Sequence, residues 1–173
     1  MRKIVAFWAI TIMLLVSCTP MAEVPDRIKD YVDSSEGLQR IKRLENETVK
    51  EVYLVKDVQE SPAEILQIVE TKGYNEKITL LVVIDCKKEI LSEVSILEHF
   101  ETDNYGAYAA EDWFLARFQA KDVNKDLRVV KILAEQPEEI VAVTGATITS
   151  QAIVDGVNAA FKVFRDFKEG ERK

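Results

Sequence analysis

The sequence predicts a single α+β domain in which an antiparallel β-sheet is flanked by helices. Strand-like apolar segments follow one another closely through residues 50–98, and a long amphipathic segment lies near the end of the chain. Short turn-forming stretches between the strands favour hairpins, which pair strands antiparallel. With 173 residues, the chain can bury one sizeable core, and no boundary divides residues 24–173.

The pattern of apolar residues assigns each element. The predicted strands cover residues 50–57, 64–71, 78–85, 89–98, 127–134 and 140–143. Residues 78–85 are apolar on both faces, which is typical of a central strand. The predicted helices cover residues 25–32, 37–46, 109–119 and 149–167. Ile153, Val157 and Phe161 recur at helical spacing in the last of these, so that face is predicted to be buried.

The acidic balance of the chain limits its partners. The formal net charge is -7. Phosphate backbones are bound by clustered Lys and Arg, whereas the short basic stretch Arg40, Lys42 and Arg43 is interleaved with acidic and apolar residues and is predicted to be a solvated face. We therefore expect no nucleic-acid partner.

The N-terminus is typical of an export signal. Arg2 and Lys3 precede an almost unbroken apolar run over residues 4–16, and Ser17 and Cys18 follow. The end of this segment resembles the lipobox of bacterial lipoproteins, in which the cysteine is lipidated and becomes the new N-terminus. Two alternatives are a transmembrane helix, although the run is shorter than the ~20 residues a span needs, and an ordinary signal peptide with a coincidental cysteine.

These features divide the chain into four parts. Residues 1–17 are predicted to be the signal peptide, and residues 18–47 the lipid anchor, tether and short helices. The main domain is expected at residues 48–168, with a tail at 169–173. Cys86 would be the one cysteine left after lipidation of Cys18. It is predicted to be a surface thiol, because one thiol forms neither an internal disulfide nor a four-ligand zinc site.

The segment from Thr144 to Ser150 is the most informative part of the sequence. An apolar strand ends there, a long helix begins a few residues later, and the segment contains four hydroxyl residues. Unpaired N–H groups at a helix start and the helix dipole favour an anion such as a phosphate. Gly145 and Ala146 allow close approach of the backbone, and Thr149 or Ser150 is predicted to cap the helix. Hydroxyl residues are also ordinary helix caps, so this pattern alone leaves both interpretations open.

Thr144-Gly145-Ala146-Thr147 resembles the S/T-G-A-T motif of the FMN-binding domain family. This family includes the G subunit of Rnf electron-transport complexes and the C subunit of the sodium-translocating NADH:quinone reductase. In the family, the last Thr of the motif carries FMN through its phosphate, attached by a flavin transferase. The resemblance therefore implies FMN as cofactor and Thr147 as its attachment site.

Further segments of the chain resemble the same family. Residues 72–85 are similar to its "KGYGGPITLLVGID" segment, and residues 97–106 to its "LEHxETPGLG" segment. Residues 110–114 look like its "WF" helix, and residues 49–53 fit its first strand. The resemblance covers roughly residues 48–162 in order, which makes it far more specific than the short motif alone.

The chain departs from the family in three places. Val141 stands where the family often has Asp, three residues before Thr144. Asp103-Asn104-Tyr105-Gly106 replaces the family's "PGLG", and a lipobox replaces its N-terminal membrane helix. The first departure bears on recognition by the transferase, and the second on the shape of a loop expected near the flavin.

The remaining candidates concern the flavin ring and its surroundings. Glu101 and Thr102 are expected to orient a loop or bond the flavin edge, and Trp113 is a candidate for ring contact, as are Phe114 and Tyr105. Core packing explains the aromatic helix residues equally well. His99 is the one histidine of the chain, and a structural role in hydrogen bonding is its ordinary alternative.

These observations predict a lipid-anchored electron-transfer flavoprotein on the extracytoplasmic face of the bacterial membrane. It would act as a subunit of an Rnf-like complex or as a separate carrier for redox partner proteins, and not as a stand-alone enzyme. One alternative is a non-flavinylated lipoprotein that serves as a binding or assembly module. Another is a hydrolase with Thr147 as nucleophile, for which His99 is the one histidine available as a base.

Overall fold

The computed structural model describes residues 25–32 and 37–171. Five strands form the main sheet, in the order β1-β2-β3-β4-β5, and each pair of neighbouring strands is antiparallel. Their bounds are β1 Leu38–Arg40, β2 Val49–Lys56, β3 Pro62–Lys72, β4 Lys77–Asp85 and β5 Ile90–Glu98. The predicted α+β class and antiparallel sheet are confirmed.

Two short strands and two α-helices complete the described part of the fold. Strand β6 (Arg128–Val130) pairs with β7 (Glu139–Val141) in a separate sheet, and this pair is parallel, which the sequence did not indicate. Helix α1 is a single turn (Asp112–Leu115), and α2 is long (Thr147–Glu171). Among the described residues, four 3₁₀ segments lie at Asp26–Tyr31, Lys42–Leu44, Gly106–Ala110 and Ala116–Phe118.

Helix α2 covers one face of the main sheet. Its predicted buried face is confirmed, since Ile153, Val157 and Phe161 are at most 1% exposed. Gly156 brings the helix close to β3 and β4: a Cβ atom there would lie 2.7 Å from Leu80 Cδ1 and 2.8 Å from Thr71 Cγ2. The close contact fixes the position of the helix, and hence of its N-terminus, against the sheet.

The other face of the sheet is apolar as well. Tyr53, Leu66, Ile68, Leu81 and Val83 form a second cluster there with Ile28. Ile28 belongs to the 3₁₀ segment Asp26–Tyr31, where the sequence predicted a short helix. Because both faces of β4 are covered, its continuous apolar sequence is explained, as expected for a central strand.

Three local predictions are wrong. Residues 37–46 contain strand β1 and the 3₁₀ segment Lys42–Leu44 instead of one continuous helix, because β1 pairs with the neighbouring β2. The segment 109–119 is broken into short turns, since Glu111 has an extended backbone, although Phe114 and Phe118 are buried as the helical spacing indicates. The strand predicted at 127–134 ends at Val130, and beyond it Ile132 is 90% exposed.

Cys86 is buried in the main core and not at the surface, so its prediction is wrong. It follows β4 directly, and its side chain packs among apolar residues. Burial raises the pKa of this thiol to about 12.

The N-terminal predictions fall largely outside the described residues. The signal peptide at residues 1–17, Cys18 and the beginning of the tether lie there, as do the last two residues of the tail. Within residues 25–32 and 37–171, no helix combines the length and apolar character that crossing a membrane requires.

Candidate functional site

A cleft of about 500 Å³ lies at the N-terminus of α2. Three parts of the chain form it: Tyr74 after β3, the loop from Glu101 to Gly106, and the segment from Gly145 to Thr149. Its volume falls within the ~300–1,000 Å³ range of small-molecule and cofactor sites. The sheet fixes the first two parts, and the packing of α2 fixes the third.

A tight turn joins β7 to α2 at the base of the cleft. Ala146 donates a backbone hydrogen bond to the carbonyl of Val143 at 2.9 Å. Gly145 has φ +80°, a conformation that residues with a Cβ atom rarely adopt. A Cβ atom at this position would also lie 3.3 Å from the ring of Tyr105. Gly145 thus allows both the turn and the close approach of the Tyr105 ring.

The structure separates the four hydroxyl residues of this segment into two pairs. Thr149 and Ser150 are buried, and both hydroxyls are engaged: Thr149 Oγ1 donates to Glu101 Oε2 at 2.7 Å, and Ser150 Oγ donates to the Ala146 carbonyl at 2.9 Å. Thr144 and Thr147 are exposed, and only Thr147 of these two lines the cleft. Of these four residues, Thr147 is therefore the one that is exposed and also lines the cleft.

The predicted capping role of Thr149 or Ser150 is wrong. Helix α2 begins at Thr147, two residues earlier than predicted, so both residues lie inside its first turn. Ser150 Oγ accepts a hydrogen bond from the backbone N–H of Val143 at 3.0 Å, which ties the end of the preceding strand segment to the helix. These hydroxyls hold the turn together from inside.

Glu101 connects the three parts of the cleft. Its side chain is buried, and Oε1 accepts hydrogen bonds from the backbone N–H groups of Tyr74 and Asn75 at 2.8 and 3.3 Å. Oε2 accepts the bond from Thr149. Gly106 leaves room for this carboxylate, since a Cβ atom there would lie 2.5 Å from Oε2. Glu101 thus positions the cleft wall, and its carboxylate oxygens are already occupied.

Thr102 and His99 belong to the same loop but differ in placement. Thr102 lines the cleft, is exposed, and accepts a hydrogen bond from Asn75 Nδ2 at 3.1 Å. His99 lines a small adjoining cavity that does not include Thr147, and its Nδ1 accepts from the backbone N–H of Glu101 at 3.3 Å. The histidine is therefore placed to hold the loop, and no base–nucleophile pair with Thr147 is formed.

Large apolar side chains form part of the cleft lining. Tyr74, Tyr105 and Ile148 line it while remaining 64%, 58% and 57% exposed. Together they give the cleft an exposed apolar surface, a feature that ligand-binding grooves share. Tyr105 was a candidate from the sequence, whereas Tyr74 and Ile148 were missed. An apolar residue between two threonines at a helix start was the available signal for Ile148.

Trp113 lies outside the lining of the cleft. It is half-exposed on α1, with its ring 6.2 Å from that of Phe114 in an edge-on arrangement. The guanidinium of Arg117 lies over its ring at 5.0 Å. Phe114 is fully buried in the core, so packing accounts for it.

Val141 is the last residue of β7 and is half-buried. Its carbonyl accepts a hydrogen bond from Arg117 Nη1, and its strand partner is Val130. A guanidinium group therefore lies next to the position at which the sequence departs from the family pattern. Across residues 25–32 and 37–171, no group of three or more His, Cys, Asp or Glu side chains could hold a metal ion.

Comparison with known proteins identifies a family for this site. The model of the FMN-binding domain family matches residues 73–162, which contain all cleft-lining segments. The G subunit of the proton-translocating ferredoxin:NAD(+) oxidoreductase complex of Clostridium ljungdahlii is 37% identical over 102 residues, covering 59% of this chain and 54% of the relative. The chain thus spans about half the length of that relative.

A second relative and two solved structures extend the comparison. The G subunit of the Na(+)-translocating ferredoxin:NAD(+) oxidoreductase complex of Acetobacterium woodii is 29% identical, covering 84% of this chain and 68% of the relative. The crystal structure of Shewanella oneidensis NqrC has a TM-score of 0.57 at 17% identity, with 85% of this chain and 78% of that chain covered. The C subunit of the Na(+)-translocating NADH-quinone reductase from Parabacteroides distasonis gives 0.54 at 18% identity, covering 66% and 62%. These structures share the fold.

Proposed function

Because the chain belongs to the FMN-binding domain family, whose cofactor is FMN, we propose that it is an electron-transfer flavoprotein with FMN attached to Thr147 through a phosphodiester. We further propose that it works on the extracytoplasmic face of the membrane, anchored through Cys18. The relatives named above are subunits of membrane oxidoreductase complexes, which supports a role beside other subunits of an Rnf-like complex.

One observation carries the choice of Thr147. Of the four hydroxyl groups in the motif segment, those of Thr149 and Ser150 are buried and hydrogen-bonded within the protein. Thr144 is exposed but does not line the cleft, whereas Thr147 is exposed and lines it. Thr147 alone in this segment combines a free hydroxyl with direct access to the cleft.

The residues of the cleft fit FMN. Its volume of about 500 Å³ suits a cofactor of this size class. Tyr74, Tyr105 and Ile148 offer apolar surface to an aromatic ring, and tyrosine rings stack favourably with such systems. The N-terminus of α2 favours the negative charge of a phosphate. FMN supplies the transfer of one or two electrons, while these side chains bind it, orient it and limit its contact with water.

Attachment requires an activated flavin nucleotide and a flavin transferase as partner. The Thr147 oxygen forms a new bond to the flavin phosphorus, and the phosphoanhydride bond of the donor breaks. The leaving nucleoside phosphate takes up the proton that the hydroxyl loses, so atoms and charge balance. A covalent link keeps a small cofactor with its protein outside the cell, where a dissociated cofactor would be lost by diffusion.

A second candidate function is a non-flavinylated lipoprotein that uses the same fold as a binding or assembly module. Val141 favours it, because the chain lacks the carboxylate that members of the family often have at this position. This alternative predicts a colourless protein of unmodified mass.

The test is intact mass combined with in-gel flavin fluorescence, on the full chain co-expressed with a flavin transferase in an exporting host. Thr147→Val removes the proposed acceptor, and Thr144→Val is the matched control in the same motif. We expect a mass increment of FMN less water and fluorescence in the wild type and in Thr144→Val, and neither signal in Thr147→Val. Unmodified mass in all three proteins would leave the binding or assembly module as the better account.

A further inference from the structure

A second groove, of about 350 Å³, adjoins the cleft at the N-terminus of α2. The two share Thr147 and Ile148, and the second is completed by Lys72, Gln151, Ala152 and Asp155. Lys72 is the last residue of β3, and Gln151 lies one helical turn after Thr147. The groove therefore runs between the end of β3 and the first turns of α2, with Thr147 at its junction with the cleft.

Lys72 is the one cation among the described residues that line this groove. Its neighbours at the same end of the sheet are paired: Lys77 contacts Glu70 and Glu98 at 3.4 Å, and Lys50 contacts Glu70 at 3.9 Å. Within residues 25–32 and 37–171, no ion pair or hydrogen bond is formed by the Lys72 ammonium group. Its direct strand partner is Lys77, which carries the same charge.

The groove also holds one carboxylate, that of Asp155. Gln151 Nε2 donates a hydrogen bond to Asp155 Oδ1 at 2.8 Å, which ties this carboxylate to the surface of α2. Asp155 follows Thr147 by two helical turns, a rise of roughly 12 Å at ~1.5 Å per residue. The Asp155 carboxylate is thus separated from Thr147 along the helix. Lys72 is the one positive charge that lines the groove, and it forms no ion pair within the described residues.

We propose that Lys72 supplies the counter-charge for the phosphodiester on Thr147. This rests on the proposed function, and it divides the cofactor between two adjoining spaces. The phosphate charge would lie in the groove beside Lys72, which leaves the cleft lined by Tyr74 and Tyr105 to the flavin ring. Because Lys72 is exposed, its attraction to the phosphate is screened by salt.

The test is ³¹P NMR of the flavinylated full chain at low and high salt, with intact mass recorded on each sample. Lys72→Gln removes the proposed counter-charge, Lys72→Arg retains it, and Lys50→Gln removes a lysine of the same sheet end that lies outside the groove. We expect Lys72→Gln to shift the phosphodiester resonance and to abolish its salt dependence. Lys72→Arg should keep the salt dependence, and Lys50→Gln should give the wild-type spectrum.

Each contrary outcome has a distinct meaning. A flavinylated Lys72→Gln protein whose ³¹P resonance and salt dependence match the wild type would overturn the assignment of Lys72 while leaving the covalent flavin intact. Equal shifts in Lys72→Gln and Lys50→Gln would also overturn it, since a general loss of positive charge would explain both. Unmodified mass in the wild type would overturn the proposed function, and the assignment of Lys72 with it.

Discussion

The Thr149 hydroxyl donates a hydrogen bond of 2.7 Å to Glu101 Oε2, and both side chains are buried. The bond joins residues 48 positions apart in the sequence. It links the first turn of the long helix to the loop on the opposite side of the cleft. Since Glu101 also accepts from the backbone of Tyr74, one carboxylate connects all three walls of the site.

We predict that Glu101→Gln destabilises the protein by about 1.5–3 kcal/mol, because hydrogen bonds to a buried charged group are lost or reversed in polarity. Glu98→Gln is the matched control: its carboxylate pairs with Lys77 at an exposed position, where such pairs contribute only about 0–1 kcal/mol. Urea unfolding of the two variants measures both losses. Equal losses would show that Glu101 does not connect the cleft walls as described.

We predict that Gly156→Ala destabilises the protein by about 1–3 kcal/mol through overpacking. The added methyl group meets Leu80 and Thr71, and this contact outweighs the ~1 kcal/mol that alanine contributes to a helix relative to glycine. Gly170→Ala lies in the same helix, where the nearest atoms belong to the flexible end of Arg43. There the higher helix propensity of alanine should dominate, so the midpoint of thermal unfolding should rise for Gly170→Ala and fall for Gly156→Ala. A Gly156→Ala protein as stable as wild type would contradict the close packing of α2.

Cys86 predicts a pH dependence of stability. Burial raises the pKa of its thiol to about 12 in the folded protein, whereas an unfolded cysteine has a pKa of roughly 8.5. Below the unfolded pKa both states are protonated and the group contributes nothing. Above it the unfolded state ionises first, so the free energy of unfolding should fall by up to about 1.4 kcal/mol per pH unit.

The measurement is urea unfolding between pH 8 and 9.5 in a Cys18→Ser background, which leaves Cys86 as the one thiol of the chain. Cys86→Val serves as the reference, because it removes the titrating group and keeps an apolar side chain in the core. We expect a steeper loss of stability with pH when Cys86 is present. Identical slopes in the two proteins would contradict the burial of the thiol.

We predict that Val141→Asp increases the fraction of chains that carry FMN when the transferase is limiting. The substitution restores the carboxylate that the family often has, and Arg117 lies close enough to the Val141 carbonyl to favour a negative charge there. Ile132→Asp, at a residue 90% exposed in another loop, controls for added charge. Intact mass gives the flavinylated fraction; equal fractions in Val141→Asp and wild type would show that this position does not limit attachment.

Much of the sheet was predictable from local patterns. Strands β2 to β5 show alternating or continuous apolar residues bounded by turns. These local patterns were sufficient because each of these strands pairs with the next one along the chain. The long helix was found from the spacing of Ile153, Val157 and Phe161. Strand β1 was missed because its short sequence carries no periodicity, and its conformation depends on pairing with β2.

The motif residues of the candidate site could be predicted from the sequence, but the three-dimensional placement of their side chains could not. Thr147 and Gly145 follow from the resemblance of four residues, whereas the partition of the hydroxyls into engaged and free groups required the fold. Thr149 looked like a helix cap, but the carboxylate it binds comes from a loop distant in the sequence. Lys72 belongs to a segment that resembles the family, but nothing in the sequence placed it beside Thr147, because that arrangement arises only when the end of β3 packs next to α2.

In the proposed function, Thr147 carries FMN. Peptide-level mass spectrometry of the wild-type full chain, co-expressed with a flavin transferase and isolated from membranes, tests it most directly by locating the modified residue. We predict that fragmentation of the peptide spanning residues 144–150 places a single FMN phosphoester on Thr147, with Thr144, Thr149 and Ser150 unmodified. An unmodified peptide, or FMN on any other residue, would contradict the account.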